Sequence, residues 1–179
     1  MILDVTAGNR AMWRDKRPPN VVFLDVEHRL AVPPDVVADS RRLPFRDGIF
    51  DTVVFDPPHA WGKKPGAIVQ TSPKRSLIRS RVKRNTPSYY GWDKYRTRRE
   101  LISYIHQTLK EARRVLKPDG VLWFKWCDIE IEIERLAGLF TGWKKMMELQ
   151  LKSHVKRETP THFIMFRPLE ASQKLLSEG

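Results

Sequence analysis

Residues 50–59 read Phe-Asp-Thr-Val-Val-Phe-Asp-Pro-Pro-His, an apolar and β-branched run that ends in an acid and two prolines. Such a run is typical of a buried strand. Because proline fixes φ and has no N–H, the prolines end the strand and leave carbonyls and the Asp56 carboxylate as a rigid row of acceptors. A row of acceptors suits an NH2 group. A purely structural Asp-Pro-Pro turn is the alternative.

Other apolar runs flank this segment. They are Met1 to Val5, Val21 to Val26, Val36 to Ala38 and Val121 to Trp126. Continuous apolar runs, as opposed to alternating ones, favour a parallel sheet that is buried on both faces. Helices or turns should separate the strands.

The remaining periodicity predicts two helices and a hairpin. Apolar residues recur at three- and four-residue steps from Thr97 to Leu116, and residues 117–120 (Lys-Pro-Asp-Gly) should end that helix. A second helix is expected within Ile129 to Phe140. Lys145 to Val155 and His162 to Leu169 resemble two antiparallel edge strands joined by a turn. Together these elements predict a doubly wound α/β sheet.

Ligands of open α/β sheets bind beyond the carboxyl ends of the strands. There, a small-residue turn follows the first strand at residues 4–10, where Gly8 lets the backbone approach a ligand closely. Asp25 ends the second strand about twenty residues later, a spacing that suits a carboxylate bound to ribose hydroxyls. Asp39 follows the third strand and could accept from an adenine amine. Ordinary turn and capping roles are the alternatives at all three positions.

The net charge of +12 is unevenly distributed. Residues 61–99 contain twelve Lys and Arg against one acid, Asp93, so this window carries +11 and the rest of the chain about +1. Clustered cations gain free energy by displacing counterions from a polyanion. The alternative is a solvated loop. We expect a single domain over residues 1–179 with a basic substrate-binding insert at about 61–99.

Aromatic and cationic side chains alternate within the insert, which suits stacking on bases while neutralising phosphates. Its glycines and prolines predict that residues 61–90 form a loop, which we expect to order when a nucleic acid binds. The residues predicted to contact nucleic acid are Trp61, Lys63, Lys64, Lys74, Arg75, Arg79, Arg81, Lys83, Arg84, Tyr89, Tyr90, Trp92 and Arg96.

Several classes of protein do not fit the composition. No apolar run approaches the roughly 18 residues that span a bilayer, and the opening run is too short for a secretory signal, so we expect a cytoplasmic protein without a membrane partner. The single cysteine, Cys127, cannot form an internal disulfide, and a metal site is not expected.

Taken together, the four strand ends resemble the class I S-adenosylmethionine (SAM)-dependent methyltransferases. The Asp-Pro-Pro-His tetrapeptide is similar to the motif of their amino-methyltransferase branch, which modifies adenine N6 or cytosine N4. The resemblance extends over nearly the whole chain. It implies a Rossmann-like methyltransferase fold with a mostly parallel seven-stranded sheet, a C-terminal antiparallel hairpin, and SAM as the cofactor, with S-adenosylhomocysteine as its product.

The resemblance also implies a role for each matched position. The turn Asp4, Thr6, Ala7, Gly8 and Asn9 would hold the methionine part of the cofactor. Asp25 would hold the ribose, and Asp39 with Ser40 the adenine. The catalytic segment would be Asp56, Pro57, Pro58 and His59, in which Asp56 and the Pro57 carbonyl bind the target amine.

Three departures from the family pattern are visible. Arg10 stands where the family usually has another small residue, so the methionine end of the pocket is expected to be built differently. His59 replaces the usual Tyr, Phe or Trp and offers a smaller stacking face. Trp61 or an aromatic residue of the insert could share the stacking on the base. The chain also starts at its first strand, which leaves a sheet face for another element or subunit to cover.

These observations predict a SAM-dependent methyltransferase that acts on an exocyclic amine, cytosine N4 or adenine N6, in structured RNA, with ribosomal RNA favoured. DNA is the alternative polymer, although DNA enzymes of this branch usually carry a larger recognition region. A non-catalytic RNA-binding protein with a degenerate methyltransferase fold is the alternative of another class. Monomer and homodimer are both compatible with the sequence.

Overall fold

The structure, a computed structural model, describes residues 1–62, 94–151 and 159–169. Within these ranges seven strands form one sheet in the order β3-β2-β1-β4-β5-β7-β6. The strands are β1 Ile2–Asp4, β2 Val21–Asp25, β3 Val36–Val37, β4 Phe50–Phe55, β5 Leu116–Cys127, β6 Trp143–Leu151 and β7 Thr161–Pro168. Strands β1 to β5 pair in parallel, whereas β7 is antiparallel to both β5 and β6. The predicted Rossmann-like sheet and C-terminal hairpin are confirmed.

Helix α1, Arg98–Val115, connects β4 to β5. Thr97 caps its N-terminus by accepting from the Glu100 N–H, while the Glu100 carboxylate accepts from the N–H of Arg96, one residue before the N-cap, in a variant of the capping box. Its apolar face, which includes Leu101, Ile105, Leu109 and Ala112, is fully or almost fully buried. Packing of this face therefore stabilises α1 against the sheet, as the periodicity predicts.

The predicted second helix is shorter than expected. The chain forms a 3₁₀ helix at Ile133–Phe140, preceded by bends at residues 129–131. The alternation of isoleucine and glutamate before it does not fit one helical face. Ile131 and Ile133 are buried whereas Glu130 and Glu132 are exposed. This two-residue period is that of an extended chain, so the helix begins only at Ile133.

The pairing of β4 with β5 sets the geometry of the site. Phe50 is opposite Leu116 and Thr52 is opposite Val121, so residues 117–120, which directly follow the end of α1 as predicted, bulge out of the ladder. The bulge favours Gly120, because a Cβ there would lie 3.0 Å from the Lys117 carbonyl oxygen and 3.2 Å from that of Asp51, both backbone atoms. Beyond it the register is regular, and Phe55 faces Phe124.

Large aromatic side chains fill the core beneath the site. Phe55 packs edge-on against Phe124, with ring centroids 5.7 Å apart, and Phe140 stacks on Phe166 at 4.2 Å. Trp126 is fully buried and donates from Nε1 to the Ile131 carbonyl at 2.8 Å. The carboxyl ends of β1, β4 and β5 are therefore held on a rigid base.

Candidate functional site

The carboxyl ends of the first four strands open into one cleft of about 1210 Å³. Single-ligand pockets usually measure about 300–1000 Å³, so the cleft has room for a cofactor and part of a second molecule. The predicted site residues that line it are Asp4, Thr6, Ala7, Gly8, Asn9, Asp25, Asp39, Ser40, Asp56, Pro57 and Pro58.

The turn after β1 joins three strand ends through backbone hydrogen bonds. The Thr6 hydroxyl accepts from the Asp56 N–H at 2.8 Å, and the Asp25 carboxylate accepts from the Gly8 N–H at 2.9 Å. Gly8 has φ +49°, and nothing lies within 4 Å of the position that a Cβ would take. The left-handed backbone is what favours a glycine at this wall of the cleft, because the open space itself would admit a side chain.

Asp4 is a buried acid at the floor of the cleft. Its carboxylate accepts from Trp13 Nε1 at 2.7 Å and from the Thr6 N–H at 3.1 Å. Burial raises the pKa of Asp4 to about 7, against the opposing effect of these two hydrogen bonds. Asp4 is therefore partly protonated near neutral pH.

Asp25 and Asp39 lie on the cleft wall in different electrostatic settings. Asp25 accepts from the Glu27 N–H through Oδ1 and from the Gly8 N–H through Oδ2, each at 2.9 Å, and each oxygen keeps a further lone pair. Asp39 accepts a forked interaction from Arg41, whose hydrogen bonds keep the pKa of Asp39 below its usual value. Both carboxylates are thus acceptors at the edge of the cleft.

Ser40 also lines the cleft, but its hydroxyl is held from behind. It is buried, donates to the Tyr104 hydroxyl oxygen at 3.0 Å and lies 3.2 Å from Thr108 Oγ1. These contacts join the end of β3 to helix α1. Helix α1 therefore holds Ser40, and with it this part of the cleft wall, in place.

Arg10, where the family has a small residue, turns away from the cleft. Its backbone has φ +56°, and its buried guanidinium lies 3.8 Å from the ring centroid of Phe23. It also donates to the Pro33 carbonyl at 2.9 Å and to Asp35 at 3.1 Å. The turn therefore differs from the family pattern in how it is supported, because the Arg10 side chain contacts the loop from outside the cleft.

Asp56 is held at the end of β4 by residues from two other elements. Its Oδ2 accepts from Lys125 Nζ at 2.7 Å, whereas its buried Oδ1 has no hydrogen-bond partner within the described ranges and lies 3.3 Å from His59 Nε2. Burial raises the pKa of Asp56, but His59 and Lys125 more than offset this, so the pKa of Asp56 lies below its usual value. The carboxylate is ionised at neutral pH.

His59 occupies a different place from the one predicted. The ring is 4% exposed, packs edge-on against Trp126 at 5.1 Å between centroids, and does not line the cleft. A ring so enclosed cannot stack on a base in the cleft, so the geometry does not support that role. After Pro57 and Pro58 the chain turns so that the His59 imidazole packs on β5. Its Nε2 points towards Asp56 at the end of β4.

The sequence model of the N6/N4 DNA methylase family matches residues 50–166, which is more than half of the chain. The match begins at β4 and includes the Asp-Pro-Pro segment that closes the cleft. The chain belongs to this DNA methylase family. It is a class I SAM-dependent methyltransferase of the amino-methyltransferase branch, and SAM is its cofactor. No curated protein sequence matches it significantly.

Solved structures share the fold of this chain. N-methyltransferase NodS from Bradyrhizobium japonicum WM9 superposes with a TM-score of 0.55 at 13% identity, covering 94% of this chain and 85% of that chain. The PH0226 protein from Pyrococcus horikoshii OT3 gives 0.52 at 16% identity, with 93% and 81% covered. A SAM-dependent methyltransferase from Methanosarcina mazei gives 0.51 at 14%, with 94% and 92% covered. At such identities the likeness shows the fold alone.

Lys125 is the residue of this methyltransferase that the sequence analysis missed. It stands in the middle of the apolar run Val121 to Trp126, where a strand prediction treats it as an outward-facing interruption. Only the register reveals its partner. Because Phe55 faces Phe124, the next residues along the parallel strands, Asp56 and Lys125, are neighbours.

The predicted nucleic-acid contacts fall mainly outside the described residues. Those outside are Lys63, Lys64, Lys74, Arg75, Arg79, Arg81, Lys83, Arg84, Tyr89, Tyr90 and Trp92. Trp61 is half-buried against the core, and Arg96 is exposed; neither lines the cleft. Lys94, Tyr95 and Arg99, at the end of the basic window, do line it. Cationic and aromatic groups therefore flank the opening on the α1 side.

Two further features of the methylase concern its surroundings. No helix in the part of the chain that the structure describes is long and apolar enough to cross a bilayer. The same ranges contain no group of three or more His, Cys, Asp or Glu side chains placed to hold a metal ion.

Proposed function

We propose that this methyltransferase modifies the exocyclic amine of adenine or cytosine in a nucleic acid, with structured RNA, ribosomal RNA in particular, as the favoured polymer. The observation that carries the proposal is the position of Asp56, which lines the same cleft as Gly8, Asp25 and Asp39. An acceptor for an NH2 group thus shares one cavity with the residues suited to an adenosyl cofactor.

The cofactor fits the residues present. Acceptors for a ribose diol and an adenine amine are supplied by Asp25 and Asp39, and the missing side chain of Gly8 leaves room for the methionine part. When bound, SAM supplies an electrophilic methyl group on a positively charged sulfur. Domain organisation follows from this arrangement, and we propose that one domain holds the cofactor while the window 61–99 contacts the substrate.

The chain's own residues would position the amine. The lone pair of an exocyclic amine is delocalised into the base and is a poor nucleophile. Asp56 Oδ2 and the Pro57 carbonyl would accept the two N–H groups, which favours a pyramidal nitrogen with its lone pair directed across the cleft. Positioning and electrostatics of this kind supply much of an enzyme's rate enhancement.

The target base must leave its helix to reach the cleft. An amine engaged in base pairing is inaccessible inside a duplex, so the base is flipped out or already unpaired. Because His59 is enclosed, the stacking partner must come from elsewhere, and Tyr95 at the cleft wall and the aromatic residues of the basic window are the candidates. Trp61 is half-buried and would have to turn to contribute.

DNA is the second candidate polymer, because the matched family is described as DNA methylase. We favour RNA because recognition of a preformed RNA shape requires less reading of base edges, and the chain carries only a short basic insert. The basic window itself suits either polymer, since phosphate contacts are independent of sequence.

One experiment tests activity, polymer and base together. Total RNA and total DNA are incubated with isotopically labelled SAM and the protein, and the digested nucleosides are analysed by mass spectrometry. The proposal expects labelled N4-methylcytidine or N6-methyladenosine from RNA. Label only in deoxynucleosides would select the DNA alternative, and label in neither would contradict both.

A matched pair of variants assigns the reaction to the cleft. Asp56→Ala should lower the rate by about 10²–10³-fold or more, because the acceptor of the amine is lost. Its affinity for SAM in calorimetry should change little. Asp119→Ala removes an exposed acid from the bulge of β5 and should leave both quantities unchanged. Full activity in Asp56→Ala would contradict the assignment.

A further inference from the structure

Asp56 is paired with Lys125, a lysine of the buried strand β5. Lys125 Nζ lies 2.7 Å from Asp56 Oδ2, and the two side chains are 20% and 15% exposed. On β5 Lys125 stands between Phe124 and Trp126, which are fully buried, while its own side chain points to the other face of the strand. A charged side chain in such a strand is costly unless it is paired, so the pair with Asp56 accounts for its place.

The two oxygens of Asp56 are not equivalent. Oδ1 is sealed from solvent and has no hydrogen-bond partner in the described ranges. Oδ2 is therefore the oxygen through which Asp56, a residue of the cleft wall, can meet a substrate amine. A carboxylate oxygen has two lone pairs, so Oδ2 can accept from Lys125 and from an amine at the same time.

We propose, on the basis of the proposed function, that Lys125 is a positioning residue that keeps Asp56 ionised and holds Oδ2 towards the amine. In the transfer, the amine nitrogen bonds to the methyl carbon, and the carbon–sulfur bond breaks with its electron pair remaining on sulfur. The methylated nitrogen then carries a positive charge and loses its proton through Asp56 to water. A Lys125-paired carboxylate is a weak base, so its first task is to orient the amine.

Other charged groups near Asp56 determine what remains if Lys125 is removed. His59 faces Oδ1 from the same loop, Cys127 lies further along β5, and Asp4 approaches from β1. A histidine is charged only when protonated, whereas a lysine is charged throughout the neutral range. Without Lys125, His59 alone would oppose the effects of burial and of the neighbouring Asp4 on Asp56, so the balance would move towards the protonated form.

The test compares pH profiles of Lys125→Met, Lys125→Arg and the wild type. Asp56 must be ionised, so activity falls as pH drops through its pKa. In Lys125→Met that acidic limb of kcat/KM should move up by about 1–3 pH units, with activity returning at alkaline pH. Lys125→Arg should keep the wild-type limb. A matched control, Lys110→Met, removes an exposed lysine of α1. It should leave both the acidic limb of the kcat/KM profile and the maximal rate unchanged.

A structural defect would lower the rate equally at every pH, and an unmoved limb in Lys125→Met would overturn the inference. A second readout does not depend on activity. Carbon-13 NMR of carboxyl-labelled aspartate, with the Asp56 signal identified by its loss in Asp56→Asn, should show a higher titration midpoint in Lys125→Met. An unchanged midpoint would also overturn it. If the wild type methylates no base while this midpoint moves, the proposed function fails and only the effect of Lys125 on the ionisation of Asp56 stands.

Discussion

The backbone N–H of Asp56 donates a 2.8 Å hydrogen bond to the Thr6 hydroxyl oxygen. These residues lie at the ends of adjacent parallel strands, β4 and β1. The bond joins the turn suited to the cofactor to the segment suited to the target amine. The distance between the two halves of the cleft is thus fixed by the protein before either ligand binds.

The first prediction concerns this bond. Thr6→Val keeps the shape of the side chain but leaves the Asp56 N–H without an acceptor, which should lower the free energy of unfolding by about 1–3 kcal/mol. The turnover rate should fall as well, because Asp56 shifts. Urea denaturation and single-turnover kinetics measure the two effects. Thr6→Ser keeps the hydroxyl and serves as control; equal behaviour of both variants would contradict the role of the bond.

The second prediction uses the titration of Asp4. Its pKa is about 7 in the folded protein against 3.8 for an unperturbed aspartate, so the folded state binds more protons between these values. Stability contributed by protonated Asp4 is therefore lost as pH rises towards 7 and above. Between pH 5 and pH 8 the wild type should lose about 3 kcal/mol relative to Asp4→Asn.

Urea unfolding midpoints at several pH values measure this difference. Asp4→Asn keeps an oxygen that can accept from Trp13 Nε1 but has no proton to lose. Subtracting its profile from that of the wild type removes the contribution of the other titrating groups. Parallel profiles would show that Asp4 titrates near its ordinary pKa in the folded protein.

The third prediction concerns Arg10. Arg10→Ala removes the hydrogen bonds to the Pro33 carbonyl and Asp35 and the contact with the Phe23 ring. Loss of buried, charge-assisted bonds should destabilise the protein by about 2–4 kcal/mol. Because the braced loop lies beside Asp25, SAM affinity should fall while the rate at saturating SAM changes little.

Chemical denaturation and calorimetry with SAM test this expectation. Arg10→Gly provides a comparison, since glycine adopts φ +56° without the cost that other residues incur, and it should be destabilised less than Arg10→Ala. Tighter SAM binding in either variant would show that the guanidinium obstructs the cofactor, contrary to its position outside the cleft.

The fourth prediction concerns salt. If six of the twelve cations in residues 61–99 contact phosphates, affinity for the nucleic acid should fall by about 10³-fold between 50 and 200 mM salt. Affinity for SAM should change far less, because the cofactor displaces no counterion layer. Fluorescence anisotropy with a labelled oligonucleotide measures the first and calorimetry the second. Equal salt dependence of both would contradict a polyanion-binding window.

The strands could be predicted from their continuous apolar runs and α1 from its three- and four-residue period, since turn residues mark the ends of both kinds of element. Asp25, Asp39 and Asp56 could be placed at one sheet edge for the same reason. The enclosure of His59 and the outward turn of Arg10 could not, since both depend on side-chain packing that no periodicity encodes. Lys125 required knowledge of which residue of β4 faces which residue of β5.

The bulge at residues 117–120 has a consequence for how this protein tolerates change. Side chains alternate between the two faces of a strand, so a slip by one residue would replace the lysine next to Asp56 with an aromatic side chain. An insertion or deletion within residues 121–125 would therefore abolish the ion pair even if the strand still formed. The bulge lies before that segment, where extra or missing residues can be accommodated before the ladder resumes. Length variation among relatives should accumulate there, and the five residues that follow should keep their spacing.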